Sequence, residues 1–476
     1  MTQRELARCA AVSTGLAAAL ALGSCMNFIP AYERPAAPVA AVYAPELSPA
    51  GTSGAVPAAA IEWQRYFADA RLKRLIDIAL VNNRDLRVAV LNIEQARAAY
   101  QVKRADELPS VGAGMTAQRQ AGAGGNLVTS YAVGLQVTSF ELDLFGRVRS
   151  LSQAALSQYL ATDEARKAVQ IALIASVANA YVGLLADDET LRITRDTLKA
   201  REESYRLTRL KFDNGATSEL DFRQAEQLVA GARAELARAQ RARMQDENAL
   251  VLLLGQPLPA DLPPALSMAE QQVSSDLPAG LPSDLLTRRP DVRAAENQLL
   301  AANANIGAAR AAFFPRIALT ANFGSASTEL SNLFTGGTFG LTGTAILLQP
   351  IFDAGRNQAN LEISKVNREI AVAQYEKAIQ TAFREVSDSL AGRATLGEQL
   401  RAQAALTKAA QASFALTDLR YRNGASSYFD VLDAQRTLFT SQLAEVQVQA
   451  QQVQNLITLY KVLGGGWTDP PADTAN

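Results

Sequence analysis

Four short stretches of this chain alternate apolar with polar or small positions. Val111, Ala113, Met115 and Ala117 interleave with Gly112, Gly114, Thr116 and Gln118. Tyr131, Val133, Leu135 and Val137 interleave with Ala132, Gly134, Gln136 and Thr138. Further on, Ile317, Leu319, Ala321 and Phe323 alternate with Arg316, Ala318, Thr320 and Asn322, and Phe339, Leu341, Gly343 and Ala345 with Gly340, Thr342 and Thr344. A period of two puts each set on its own face of a strand. Runs of about ten residues with one apolar face are the pattern of strands in a membrane barrel. Gly- and Asn-rich loops at 121–126 and 325–337 join the strands in pairs, as expected on the extracellular side.

The period then changes to that of helices. Residues 147–213 and 356–422 contain no proline and few glycines. At 1.5 Å per residue, roughly 60 residues make about 90–100 Å of helix, far beyond an ordinary globular helix. Each run ends in an Asn-Gly turn, Asn214-Gly215 or Asn423-Gly424. A returning helix begins after Ser218 or Ser427, where Ser218-x-x-Asp221 and Ser427-x-x-Asp430 fit a capping box. Helices over 72–105 and 283–311 are expected before each strand pair.

These elements occur twice. Leu207, Gly215, Asp221, Ala225 and Gly255 match Leu416, Gly424, Asp430, Ala434 and Gly464 at a constant offset of 209. Upstream, Asn83-Arg84-Asp85-Leu86-Arg87 answers Arg289-Pro290-Asp291-Val292-Arg293, Leu108-Pro109 answers Phe314-Pro315, and Phe145-Gly146-Arg147 answers Ala354-Gly355-Arg356. The chain is an internal duplication. Its first repeat covers 63–255 and its second 283–466, joined by a Pro-rich linker at 256–282 and followed by a tail at 467–476. Each repeat reads helix, two strands, long helix, turn, helix.

The N-terminus reads as a targeting segment. Arg4 and Arg8 precede an apolar stretch from Ala10 to Leu22, and small residues lead to Cys25. Leu22-Gly23-Ser24-Cys25 looks like a bacterial lipoprotein signal, with residues 1–24 removed and Cys25 acylated. Met26, rather than Asp, after the cysteine favours the outer membrane. Residues 25–62 then form an extended, Pro- and Ala-rich segment behind the lipid anchor. No later stretch has 18 consecutive apolar residues, so no transmembrane helix is expected.

Composition narrows the chemistry. Aromatics are only 6 % while hydrophobic residues reach 48 %, which suits Ala- and Leu-rich helices rather than an all-β core. A net charge of −1 gives no reason to expect nucleic acid as a partner. The absence of His removes the most versatile acid–base group and the commonest metal ligand. Both cysteines, Cys9 and Cys25, lie in the targeting region, and no nucleophile motif is present. Neither an enzyme nor a metal or other cofactor is expected, apart from the covalent lipid on Cys25. Four strands cannot close a barrel in lipid, because open edges leave backbone groups unpaired at several kcal/mol each. Copies must therefore pool their strands: two would give eight, three would give twelve.

Several motifs in order now carry a resemblance. They are Pro30-Ala-Tyr32-Glu-Arg34-Pro35, Glu141-Leu-Asp-Leu-Phe-Gly146, Arg289-Pro-Asp-Val292, Gln349-Pro-Ile-Phe-Asp-Ala-Gly355, Tyr421-Arg-Asn-Gly424, Asp430-Val-Leu-Asp433-Ala-Gln-Arg436 and Leu463-Gly-Gly-Gly-Trp467. Across nearly all of its mature length the chain resembles the TolC/OprM-type outer-membrane efflux proteins. The resemblance implies a mainly α chain with membrane β structure, a homotrimer with a twelve-stranded barrel, and an α-helical periplasmic tunnel. It implies a passive exit channel for drugs or other small toxic compounds. The partners implied are a periplasmic adaptor that opens the tip and an inner-membrane pump, commonly of the resistance-nodulation-division class.

It also implies that the periplasmic tip carries an aspartate ring and a Tyr–Asp–Arg set of bonds. By motif these are Asp430, Asp433, Tyr421 and Arg436. Comparing the two repeats weighs them. Asp430 shares its helix-capping position with Asp221, so capping explains it equally well. Asp433, Tyr421 and Arg436 face Gln224, Phe212 and Gln227, so their polar groups belong to the second tip alone. Phe429 and its mate Leu220 fit either an apolar constriction or packing between tip helices. Two other readings compete: a type I secretion channel for polypeptides, and a structural coiled-coil lipoprotein, which predicts no membrane strands.

Overall fold

The computed structural model describes residues 27–44, 58–121, 126–271, 277 and 282–467. The signal segment, Cys25 and most of the C-terminal tail lie outside these residues. The elements in order are α1 (Ala70–Asn82), α2 (Arg84–Ala105), β1 (Val111–Ala121), β2 (Leu127–Leu142), α3 (Arg147–Asp213), α4 (Glu219–Leu254), α5 (Pro282–Arg288), α6 (Pro290–Ala311), β3 (Arg316–Ser327), β4 (Phe339–Leu348), α7 (Arg356–Arg422) and α8 (Tyr428–Val462). The repeat is visible element by element, and α3 and α7 are both 67 residues long.

The chain divides into two units. The first holds the N-terminal segment up to Ala36, residues 91–164 and residues 293–377; the second holds residues 37–90, 165–292 and 378 onward. The first unit contains an antiparallel sheet in the order β1-β2-β3-β4. Its register puts all four expected apolar sets on one face: Ala113 lies opposite Leu135, Leu135 opposite Phe323, and Phe323 opposite Leu341. That face is exposed; Met115, Leu135, Phe323 and Leu341 are each at least half open. The other face carries Gln136, Asn322 and Thr342 in line. Apolar side chains turned outward are the arrangement of a lipid-facing sheet. On the polar face Gly114, Gly134, Gly324 and Gly340 form a row across all four strands. Gly134 and Gly324 are so close that a Cβ on either would meet the other strand's backbone within 2.4 Å. β2 runs longer than expected, 16 residues, and continues past a bulge between Val137 and Phe140 where Ser139 takes a left-handed φ of 57°.

The second unit is a helical core. Leu72, Leu75 and Ile76 of α1, Ile174, Val177 and Tyr181 of α3, Leu250 and Leu254 of α4 and Ile457 and Tyr460 of α8 are all buried. Tyr66 stacks on Tyr460 at 4.0 Å and donates its hydroxyl to the Leu456 carbonyl at 2.7 Å. Asp69 caps α1, accepting from the Arg71 and Leu72 amides, and also accepts from the Tyr181 hydroxyl at 2.8 Å. α3 holds an apolar stretch of 18 residues, half of it buried within the protein. Its apolarity is that of a core helix, and it does not overturn the expectation of no membrane-spanning helix.

The single helices expected over 72–105 and 283–311 are each broken once, at Asn83 and Arg289. The breaks are repeat mates and are stitched in the same way. Asn83 Nδ2 donates to the Leu253 carbonyl at 2.9 Å, and an Arg289 guanidinium nitrogen donates to the Val462 carbonyl at 3.2 Å. Leu253 and Val462 are themselves mates, one near each returning helix's end. Glycines at the ends of the returning helices complete each joint. Gly255 and Gly464 adopt φ of 68° and 83°, and a Cβ there would meet the Asn82 and Arg288 carbonyl oxygens at 2.4 and 2.9 Å. Arg289 is nearly buried and is neutralised by Asp291 at 2.6 Å and Glu385 at 2.8 Å. Pro290 opens α6 at the first helical position, where a missing N–H costs nothing.

Asp187 on α3 faces Asp246 on α4. Burial, then the charge of Asp246 and a hydrogen bond to it, pushes the Asp187 carboxyl up to about 6. The folded chain therefore holds this proton more tightly than the unfolded chain, so the pair costs stability as pH rises from about 4 to about 6. Asp187→Asn is expected to stabilise the fold at pH 7 by about 1 kcal/mol once solvent exposure is allowed for, read as a higher urea midpoint. At pH 4 the variant and wild type should match.

Candidate functional site at the helical hairpin tips

Two hairpin turns, α3–α4 and α7–α8, are built by the same local chemistry. Gly215 and Gly424 adopt left-handed φ of 69° and 75°. Their amides donate to the Phe212 and Tyr421 carbonyls at 2.9 Å each, and Asn214 and Asn423 donate back to Leu210 and Leu419. Ser218 and Ser427 then cap the returning helices, accepting from the Asp221 and Asp430 amides. Only the second turn forms the full capping box. Asp430 Oδ2 accepts from the Ser427 amide at 3.0 Å and from the Ser426 and Ser427 hydroxyls at 2.8 Å each. These bonds, the Ser426 hydroxyl first, hold its carboxyl below the usual range. At the first turn Asp221 Oδ2 accepts from the Thr217 and Ser218 hydroxyls, and the reciprocal backbone bond is missing from the capping box expected there.

The hairpins meet through an apolar cluster of Ala225, Leu228, Tyr428 and Leu432, with Tyr205 and Tyr421 packed against it. The Tyr428 hydroxyl shares a 2.9 Å hydrogen bond with Ser204. Tyr421 lies 5.5 Å from the Tyr428 ring, and its hydroxyl accepts from Lys211 Nζ at 3.2 Å. That Lys–Tyr bond ties the second hairpin to the first.

Asp433 and Arg436 sit on the exposed side of α8. Among the described residues neither side chain has a hydrogen-bond or ion-pair partner, so this chain does not by itself join Tyr421, Asp433 and Arg436. Arg436 is close enough to Arg201 to act on its charge. Burial first and then Arg436 hold the Arg201 guanidinium below its ordinary value. Arg201 donates to the Leu228 carbonyl at 3.3 Å and lies over the Phe439 ring. Phe429 and Leu220 point away from the apolar cluster, 56 % and 66 % exposed.

Comparing the repeats would also have flagged two residues that the sequence reading passed over. Tyr428 faces Glu219 and Arg201 faces Ala410, so each, like Tyr421, differs between the halves, whereas Lys211 faces another cation, Arg420.

The chain matches the family described as outer membrane efflux protein over residues 75–256 and 281–465. The chain belongs to this family. Two relatives from Pseudomonas putida, the antibiotic efflux pump outer membrane protein ArpC and the toluene efflux pump outer membrane protein TtgC, are each 49 % identical over 458 residues, 94 % of either chain. The open state of the Neisseria gonorrhoeae MtrE outer membrane channel is 42 % identical, with a TM-score of 0.85 over 92 % of this chain and 98 % of that one. This efflux protein is thus an outer-membrane channel, and its exposed apolar sheet face is the part that meets the bilayer.

The two aspartates of the second tip predict separable effects. Ser427→Ala should cost about 1 kcal/mol of local stability through loss of the cap, and Asp430→Ala should shift in the same direction. Asp433→Ala should leave stability unchanged. Hydrogen exchange of the α8 first-turn amides reads all three.

Proposed function

We propose that three copies of this efflux protein form a passive exit duct for drugs and other small toxic compounds. In this reading a periplasmic adaptor and an inner-membrane pump of the resistance-nodulation-division class complete a tripartite pump. Cys25 carries the lipid that adds a second anchor to the outer membrane. The chain conducts and does not catalyse.

The observation that carries the gating part of this reading is the charge left over at the second tip. Asp430 spends its carboxylate on the helix cap. Asp433 and Arg436, three residues apart on one helix face, have no such use within the chain. Around a threefold axis they meet neighbouring copies and close the mouth, with Tyr421 held in place by Lys211. Each such bond contributes only about 1–3 kcal/mol, so several must break together for the mouth to open. Carboxylates ringed around a narrow opening attract cations. In planar bilayers Asp433→Ala and Tyr421→Phe should raise the resting conductance, and Asp430→Ala with Asp433→Ala should weaken cation selectivity. Unchanged traces in both sets would refute the gate.

The sheet has two open edges, β1 and β4, and the duplication supplies their pairing. Ile317 lies opposite Leu347 as Val111 lies opposite Val137, so Leu347 stands where Val137 stands. Val137 pairs with Ala321, whose mate is Met115. Leu347 of one copy should therefore face Met115 of the next, and Ala345 should face Ala117. Cysteines at 345 and 117 are expected to link copies covalently on mild oxidation. A control pair at 345 and 113 should link poorly; preferential linkage of the control would exclude this register.

A further inference from the structure

The segment after the expected lipid site lies along one stripe of α6, within the first unit. Arg34 binds Glu296 through two bonds of 2.8 and 3.0 Å, and the Tyr32 hydroxyl donates to the same carboxylate at 2.9 Å. Asn303 Nδ2 donates to the Pro30 carbonyl at 2.8 Å. Gly307 lies against Ile29, where a Cβ would come within 2.6 Å of the Ile29 side chain. Arg310 donates to the Phe28 carbonyl at 3.2 Å. Beyond the helix, Phe28 stacks on Phe314 at 4.6 Å, and Phe314 stacks on Phe145 at 4.9 Å.

Two lengths agree. Glu296, Asn303, Gly307 and Arg310 are spaced by seven, four and three residues, which places them on one helix face. From Glu296 to Arg310 the helix rises about 21 Å. The six steps from Arg34 to Phe28 span about 20 Å when extended. The segment runs antiparallel to α6, so contacts at both ends are met together only in this register. Glu296 is 9 % exposed and is held by both Arg34 and Tyr32. Burial, then the bond to Glu296, raises the Tyr32 phenol well above its ordinary value, so Tyr32 stays a donor at any physiological pH.

The direction of the run has a consequence. It carries the chain toward Phe314 and Phe145, at the foot of β3 and β2, where the sheet gives way to helices. Phe313 and Phe314 are more than a third exposed there, in the manner of aromatic side chains at a membrane–water interface. Cys25 is only two residues ahead of Asn27, which limits their separation to about 7 Å.

We propose that residues 28–34 and the α6 stripe form a length-matched ruler, which sets the lipid on Cys25 into the inner leaflet at the level where the strands leave the bilayer. Lipid anchor and barrel then enter the membrane in one register. The ruler rests on the reading of Cys25 as acylated, and Glu296 is its fixed end.

The full chain, reconstituted in phospholipid vesicles, tests this in three arms. A fluorophore on Asn27→Cys should be quenched several-fold more by headgroup-labelled phospholipid than one on Ala36→Cys; equal quenching overturns the ruler. A cysteine at Ile29 should react slowly with a bulky maleimide, several-fold faster in Glu296→Ala, and slowly again in the Arg34→Glu, Glu296→Arg exchange. An unchanged rate in folded Glu296→Ala, or no recovery in the exchange, overturns Glu296 as the fixed end. Mass spectrometry of the N-terminal peptide reads acylation separately: an unmodified Cys25 refutes the lipid reading and the ruler with it, while an acylated Cys25 with equal quenching refutes the ruler alone.

Discussion

An unpaired backbone amide has no partner in hydrocarbon, and this constraint governs the molecule. The four-stranded sheet satisfies its interior and leaves β1 and β4 open along one side each. A soluble protein would blunt such edges with charges or cover them. Here the edges are long, and the face between them exposes Met115, Leu135, Phe323 and Leu341. The sheet is stable only when other copies supply the missing strands. Length and duplication follow from that demand: the repeat provides two hairpins, and the helices fix where each hairpin begins.

The helices in turn depend on joints that the two repeats build from different residues. Asn83 is neutral and small, and it reaches the Leu253 carbonyl directly. Arg289 is a charge in a buried place, and it needs Asp291 and Glu385 to be tolerated there. The duplicated feature is thus a geometry, a helix break held against the end of a returning helix, and not a residue. Both repeats keep the glycine behind each joint, because the opposing carbonyl leaves no room for a Cβ.

The elements with strong periodicity were legible from sequence: the four strands, their shared apolar face, the two 67-residue helices and the tip turns. Their signals are local, and the repeat states each of them twice. The breaks at Asn83 and Arg289 were passed over, although both lie in a repeated motif. Each break carries a local signal, since Asn83 Oδ1 accepts from the Leu86 amide as a helix cap and Pro290 stands at a first helical position, but both signals lie inside long helical periodicity that runs through them. The length of β2 was hidden by its bulge, which interrupts the alternation the strand is read by. At the tip, comparing the repeats separated Asp433 from Asp430, and the capping bonds of Asp430 agree with that separation. Lys211 escaped notice because its mate is another cation, and only the fold brings it to Tyr421.

The row Gly114, Gly134, Gly324 and Gly340 crosses the sheet at one level of its polar face. Glycine is where a sheet creases most easily, since nothing on that face resists the fold. A wall with such a line concentrates its curvature there. It also leaves main chain open at Gly340, while the Gln136 amide reaches over Gly114 and is a side chain that a passing molecule would meet at that height. A conduit gains from a stretch of wall with so few side chains to hold what passes.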